Sequence, residues 1–337
     1  MDHPALAASY DGTILDLDGT VHRSGTLIPG VLEALAESSQ RYGMQHVFVT
    51  NNASRTPEEL AADLHGLGIE VEADHVFTSA QAAARLLVDR VPAGSPVLAV
   101  GGSGVRAALE AAGFRLVERS DTGRPVAVVQ GWFPDLAWRL LAEGAFALAA
   151  GALWVATNLD ATLPTHRGLA PGNGSFVRVL AATTGREPDL VAGKPGPGIL
   201  LEAAAVLGLR RALVVGDRLD TDIEGARAAG LDSLLVLTGV TDVWQLLQAP
   251  VSRRPTYVGA GLDALLRPTS LPVIVDGVVT CGAASVVRGS DGVLDLHAAG
   301  DRLDLLHASC VAAWSEDAAQ VRLSGPLAAA LGVSVQG

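Results

Sequence analysis

Thr13-Ile14-Leu15-Asp16-Leu17-Asp18-Gly19-Thr20 decides how the rest of the chain is read. A short apolar, β-prone run leads into two carboxylates spaced i, i+2, and a glycine follows at once. The apolar run predicts a buried strand, and Gly19 permits a tight turn after it. Two carboxylates this close repel each other unless a cation or a proton is shared between them. Magnesium is one solution, because it takes oxygen ligands and leaves positions open for a phosphate. With such an ion present, Asp16 could attack phosphorus and Asp18 could serve the leaving oxygen. A solvated Asp-x-Asp-Gly turn is the other reading, and the run alone does not choose between them.

Outward from this run, short apolar segments alternate with Ala/Leu-rich segments. Strands are predicted over 46–50, 97–100, 126–130, 153–157, 212–215 and 233–237. Helices are predicted over 31–41, 57–64, 105–112, 135–150, 197–207 and 223–229. This alternation predicts an α/β fold with a largely parallel sheet. The pattern restarts between about residue 80 and residue 187 and then returns, so one domain is read as interrupted by another. The expected division is 1–79 plus 188–267 for the core, 80–187 for an inserted α/β domain, and 268–337 for a small C-terminal α+β module. Pro268 and Pro272 flank the expected linker. Beyond it lie β-rich runs at 273–279, 284–287 and 293–297 and a helical run at 303–314. A piece this small folds poorly alone, so it is expected to pack on the main body or on a second chain.

The chain has 337 residues, 49% of them hydrophobic, which excludes a disordered protein. Aromatics make up only 4%, so the core is expected to be built from Ala, Val and Leu. A formal net charge of −12 argues against nucleic-acid and anionic-membrane partners. It also requires a local positive field wherever a phosphate is to bind. Cys281 and Cys310 make no disulfide framework and are expected as buried free thiols, with a single bridge left open. No apolar run is long enough to span a bilayer, and the N-terminus lacks signal-peptide features. The expected location is cytoplasmic.

Three polar clusters follow predicted strands. In an open parallel sheet the carboxyl ends of the strands share one edge, where active sites form. Asp16/Asp18, Thr50-Asn51-Asn52 and Gly216-Asp217 with Asp222 are therefore expected to converge. Thr50 and Asn51 read either as a polar turn or as a hydroxyl and an N–H that grip a phosphoryl group. Lys194, in Gly193-Lys194-Pro195, reads either as a surface charge or as the cation that neutralises phosphoryl oxygens. Asp217 and Asp222 could complete a metal shell, although Asp222 also suits a helix N-terminus. Gly101-Gly102-Ser103-Gly104 could cradle a phosphate, but Ala107 stands where the last glycine of a dinucleotide fingerprint belongs, so a structural βα turn is expected. The histidines show no metal-ligand spacing and are expected to stand apart from catalysis.

The order acid pair, Thr-Asn, Lys-Pro, Gly-Asp-x-x-x-Thr-Asp resembles the haloacid dehalogenase superfamily. Ile28-Pro29-Gly30, Val49-Thr50-Asn51-Asn52, Ala156-Thr157-Asn158-Leu159-Asp160 and Gly193-Lys194-Pro195 are similar to its NagD-like branch, over about residues 10–265. The resemblance implies a Rossmann-like three-layer parallel-sheet core with the inserted domain as a cap. It implies Asp16 as nucleophile forming an aspartyl-phosphate, and Asp18 as the acid that protonates the leaving alkoxide and then activates water. It implies Mg²⁺ held by Asp16, the backbone carbonyl of Asp18 and Asp217, with Asp222 either on the ion itself or on one of its ligands. Thr50, the Asn51 amide and Lys194 would bind the phosphoryl group, and Asn52 would bind the substrate. Asn158 would face the substrate, with Asp160 and the loop His166-Arg167-Gly168 as further candidates.

The expected activity is hydrolysis of a small phosphorylated metabolite. Glycerol 3-phosphate leads, on resemblance to Ala/Gly-rich, actinobacterial-looking members with a C-terminal extension. Phosphoglycolate, pyridoxal phosphate and nucleoside monophosphates are the alternatives, and the few cap aromatics weigh against a base-stacking pocket. A phosphomutase is a rival that the long cap disfavours. A binding or assembly protein dominated by its C-terminal module is a second rival, and a homodimer is left open.

Overall fold

The computed structural model describes residues 4–165, 167–268, 270–315 and 321–334. They form two compact units. The first comprises 4–23, 27–46 and the described residues from 209 onward; the second comprises 24–26 and 47–208.

In the first unit the strand Gly12–Leu15 is buried throughout and pairs in parallel with Ala212–Gly216. Asp232–Val236 and then Tyr257–Gly259 extend the sheet in the same direction. On the other side, Gln45, the first residue of the strand Gln45–Thr50, donates from its N–H to Asp11 O at 3.1 Å. Strands buried on both faces read as continuous apolar runs, which is why Thr13-Ile14-Leu15 and Leu213-Val214-Val215 were legible. The helix Val31–Tyr42 closes on Gly43 in the left-handed region, φ 67°.

The C-terminal part of this unit is a five-stranded mixed sheet. Val273–Val275, Val278–Cys281, Ala284–Arg288 and Val293–Ala298 form an antiparallel meander, and Arg322–Leu323 joins in parallel. The β-rich run over 273–279 is a hairpin of two strands. Asp276 and Gly277 turn at φ 49° and 80°, the signature of a two-residue primed turn. The helix Arg302–Trp314 packs on this sheet. Its Leu305, Leu306 and Cys310 share one buried cluster with Leu219, Ile223, Leu235, Leu246 and Val258 of the main sheet region. Of the two packing outcomes expected for this module, the structure shows packing on the main body. Cys281 and Cys310 are both free and buried.

In the second unit, the later residues of Gln45–Thr50 pair in parallel with Val76–Thr78. A separate all-parallel sheet runs Leu190–Val191, Leu153–Ala156, Ala127–Gln130, Pro96–Val100, Arg115–Val117. Trp154 lies at its core, fully buried, with Leu98, Val128, Leu148 and Leu180 around it. Among the described residues, no helix is long and apolar enough to cross a membrane.

Candidate active site

Asp16 follows its strand directly, and its N–H donates to Val215 O at 2.9 Å, so the parallel pairing continues through the nucleophile candidate. Asp217 follows the neighbouring strand Ala212–Gly216, and Asp222 lies in a π-helical turn, Leu219–Ile223. One carboxylate oxygen from each of Asp16, Asp217 and Asp222 lies within 4.8 Å of the others. Asp217 is fully buried and Asp222 nearly so. π-turns of this kind are frequent at functional sites.

Glycines make room for these carboxylates. A Cβ on Gly19, which sits at φ 92°, would stand 2.6 Å from the Asp217 carboxylate. A Cβ on Gly239 would stand 1.9 Å from Asp217 Oδ2. Val240 N–H donates to that oxygen at 2.6 Å, and Thr241 N–H donates to Asp217 O at 3.2 Å. The Thr238 hydroxyl donates to Gly19 O at 2.6 Å, and Arg23 donates to Thr238 O. The segment 238–241 thus braces both acid loops. Sequence reading missed it, although its place just past a strand end was the available signal.

Asp222 Oδ2 accepts from Arg218 N–H at 3.1 Å. The Arg218 guanidinium meets Asp220 through two hydrogen bonds, 3.1 and 2.9 Å. Asp220 therefore has a cation of its own, which separates it from the buried group. The Asp18 side chain lies outside the three-carboxylate group and is 45% exposed, open to a substrate or water. His22 Nδ1 is 3.5 Å from Asp18 Oδ1, so one histidine expected to stand apart does border the acid pair.

Three carboxylates, two of them buried, cannot lie this close as anions without a compensating cation. The donor set is oxygen only, which suits a hard divalent ion such as Mg²⁺ and not a thiolate- or imidazole-seeking metal. The residues present fit magnesium.

The second constellation lies in the second unit. Thr50 ends its strand, 3% exposed, and its Oγ1 accepts from Asn52 N–H at 3.0 Å. The Asn51 side chain bridges the main chain of Lys194: Oδ1 accepts from Lys194 N–H at 2.9 Å and Nδ2 donates to Lys194 O at 3.0 Å. Asn51 Nδ2 also reaches the Asp160 carboxylate at 3.2 Å. Gly193 permits the approach, since a Cβ there would be 2.3 Å from Asn51 Oδ1. Lys194 is 2% exposed, and its Nζ donates to Val49 O at 3.0 Å. A buried ammonium is poorly screened, which strengthens its field on any nearby anion.

Asn158 is buried beside this group. Its Nδ2 donates to Asn51 O at 2.7 Å and its Oδ1 accepts from Asp160 N–H at 3.1 Å. Ser79 Oγ, which sequence reading did not single out, donates to the same Asn51 O at 2.6 Å. Asn52 Oδ1 accepts from Ser54 N–H and Oγ. Arg167 is exposed in the turn between Thr162–Thr165 and Gly168–Pro171; His166 lies outside the described residues.

Residues 13–115 match the haloacid dehalogenase-like hydrolase family, and residues 191–265 match a second model of HAD-like hydrolases. The D-glycerol 3-phosphate phosphatase of Mycobacterium tuberculosis is 44% identical over 94% of this chain and 89% of its own length. The chain belongs to the haloacid dehalogenase-like hydrolase family. The crystal structure of a glycerol phosphate phosphatase from Mycobacterium tuberculosis in complex with magnesium matches this hydrolase with a TM-score of 0.87, at 42% identity and 98% coverage of both chains. The p-nitrophenyl phosphatase of Archaeoglobus fulgidus matches with a TM-score of 0.69 at 33% identity, covering 77% of this hydrolase and 98% of that chain. The mycobacterial protein thus matches nearly the whole chain, whereas the archaeal one leaves about a quarter of it unmatched.

Proposed function

We propose that this hydrolase is a magnesium-dependent phosphatase of small phosphate monoesters, with glycerol 3-phosphate as its leading substrate. The group Asp16, Asp217 and Asp222, whose carboxylate oxygens lie within 4.8 Å of one another, supports this reading, since it is the oxygen-only donor set that a hard cation needs. The substrate rests on similarity to the mycobacterial phosphatase over 94% of the chain.

In this reading an Asp16 oxygen attacks phosphorus and the bond to the ester oxygen breaks. The departing alkoxide takes a proton from Asp18, leaving an aspartyl-phosphate. The Asp18 carboxylate then takes a proton from water as that water attacks phosphorus, which frees phosphate and restores Asp16. Splitting one displacement into two lowers each barrier. Asp16, Asp217, Asp222 and the Asp18 carbonyl would hold Mg²⁺, which neutralises charge between nucleophile and phosphate. The Thr50 hydroxyl, the Asn51 N–H and the Lys194 ammonium are assigned to the phosphoryl oxygens, since this chemistry asks mainly for positioning and charge neutralisation. Asn52 and Asn158 are assigned a positioning role, because their side chains hold Ser54 and the Asn51 carbonyl.

The division into core (1–79 plus 188–267), cap (80–187) and C-terminal module (268–337) is part of the same proposal. Leu190–Val191, just past the cap boundary, pairs with Leu153–Ala156. Homodimerisation is a further element. The exposed apolar edge strand Val273–Val275 supports it, and sizing of Ile274→Lys against the parent tests it.

A panel of phosphate esters compared by kcat/KM, read as inorganic phosphate release, tests the substrate. Glycerol 3-phosphate is expected to rank first, and a higher value for phosphoglycolate or a nucleoside monophosphate would overturn that order. Asp16→Asn is expected to abolish turnover of every ester while the fold persists. Retained turnover would remove Asp16 as nucleophile.

A further inference from the structure

Gly101-Gly102-Ser103-Gly104 opens the helix Ser103–Ala111 directly after the strand Pro96–Val100. Such a turn can cradle a phosphate, but here backbone carbonyls of the chain occupy the helix end. Ser54 O accepts from Gly104 N–H at 3.4 Å and from Ser103 Oγ at 3.2 Å. A Cβ on Gly104 would stand 2.2 Å from Arg55 O and 2.6 Å from Ala53 O. A Cβ on Gly102 would be 3.1 Å from Ser54 O and 2.9 Å from the Phe133 Cβ. Three consecutive carbonyls, 53 to 55, therefore press on the N-terminal end of this helix. Its unsatisfied N–H groups and positive dipole end attract carbonyl oxygens as they would an anion.

The loop held in this way is the one that carries Thr50 and Asn52. Ser54, whose carbonyl meets the helix, gives its own N–H and hydroxyl to Asn52 Oδ1 at 2.9 and 2.7 Å. Asn52 gives its N–H to Thr50 Oγ1 at 3.0 Å. Hydrogen bonds thus run unbroken from the glycine turn through Ser54 and Asn52 to the Thr50 hydroxyl. On its other side the loop enters the helix Pro57–Gly66 through a capping box between Thr56 and Glu59. A displacement at 53–55 is therefore passed back toward Thr50, since the forward end is tied down.

We infer that the Gly101–Gly104 turn is a positioning element for phosphoryl transfer: the missing side chain at Gly104 sets where 53–55 sit, and Ser54 and Asn52 relay that position to the Thr50 hydroxyl. The inference rests on the proposed grip of Thr50 on the phosphoryl group. The Ser103 side chain need not touch substrate for this.

The test uses the full chain with Mg²⁺ and 4-nitrophenyl phosphate, and measures kcat, KM, the inhibition constant of inorganic phosphate, the Mg²⁺ activation constant and Tm. A methyl at Gly104 must push a backbone carbonyl by roughly 1 Å, and a misplacement of that size costs on the order of 100-fold in rate. Gly104→Ala is therefore expected to lower kcat/KM roughly 10- to 100-fold and to raise the phosphate inhibition constant, with the Mg²⁺ constant unchanged. Ser103→Ala removes one hydroxyl contact and should raise the phosphate constant about two- to tenfold. A glycine that matters only for folding would lower Tm and the active fraction but leave the phosphate constant as it was, and that result overturns the inference. Should Gly104→Ala not fold, an unchanged phosphate constant in Ser103→Ala overturns it alone. Thr50→Ala separates the two layers. If it raises the phosphate constant and Gly104→Ala does not, the turn does not position Thr50. If Thr50→Ala leaves the constant unchanged, the reading of Thr50 falls and the inference falls with it.

Discussion

Replacing Gly239 by alanine adds a single methyl group beside the most deeply buried acid of the site. A Cβ at 239 would stand 1.9 Å from Asp217 Oδ2, 2.3 Å from Cγ and 2.6 Å from Cβ. Contacts under 3.0 Å are essentially never made by real Cβ atoms, so the carboxylate must retreat by about 1.1 Å or the loop must lift. Either movement disrupts the 2.6 Å hydrogen bond from Val240 N–H. Asp217 is fully buried, so no water replaces the lost donor, and the stability cost is about 1–3 kcal/mol. The effect on rate is larger, because a 1 Å error at a catalytic group costs on the order of 100-fold. It should appear as a higher Mg²⁺ activation constant together with a lower kcat, since Asp217 is one of the three clustered carboxylates. The assay is phosphate release against Mg²⁺ concentration, run well below Tm, with thermal unfolding alongside. If Gly239→Ala keeps kcat and the Mg²⁺ constant within about threefold of the parent, a change under 1 kcal/mol, the close approach does not set the position of Asp217 and the reasoning fails.

Leu306→Ala removes a side chain that is 2% exposed in the cluster shared by the C-terminal helix and the main sheet region. It should cost about 2–5 kcal/mol, and near-UV signal and activity should be lost in one transition; two separated transitions would mean the core is not shared. Burial pushes the His307 imidazole down to about 4. Its unfolded value is near 6.5, so the native state binds fewer protons between the two. Its contribution is then complete above pH 6.5 and is lost as pH falls toward 4. His307→Leu should flatten the decline in unfolding free energy from urea titrations between pH 7.5 and 4.5 by up to about 3 kcal/mol, and equal slopes would contradict this. Gly198 begins the helix Gly198–Val206, and a Cβ there would meet nothing within 4 Å. Gly198→Ala should stabilise by about 0.4–1 kcal/mol without changing kcat, and a lowered Tm would count against that reading.

Legibility followed the range of the physics involved. The strand at Thr13-Ile14-Leu15 and the strand before Asp217 were visible because burial on both faces demands unbroken apolar runs. The Asp276-Gly277 dipeptide is the local signal for the hairpin inside the β-rich run at 273–279. The helix Ser79–Val88 carries no long periodic pattern, and its capping box, Thr78 with Gln81, is the local signal that marks it. Asn158 was expected at the substrate through the resemblance carried by Ala156-Thr157-Asn158-Leu159-Asp160. Its burial and its bond to the Asn51 carbonyl depend on residues more than a hundred positions apart, which no local pattern encodes.

From sequence alone came which acids end strands and which lysine precedes a helix, while the resemblance of their order to the haloacid dehalogenase superfamily pointed to magnesium and a phosphate ester. Those features depend on residue type and spacing, which the chain carries locally. Only tertiary structure decided that Asp16, Asp217 and Asp222 fall within 4.8 Å of one another while Asp220 is tied to Arg218. It also decided that Gly19 and Gly239 make way for Asp217, that Asn51 bridges Lys194, and that the C-terminal module shares a core with the catalytic sheet. Apart from the local Arg218–Asp220 pair, these are close approaches between distant segments, set by packing and, at Gly19, Gly193 and Gly239, by the absence of a side chain.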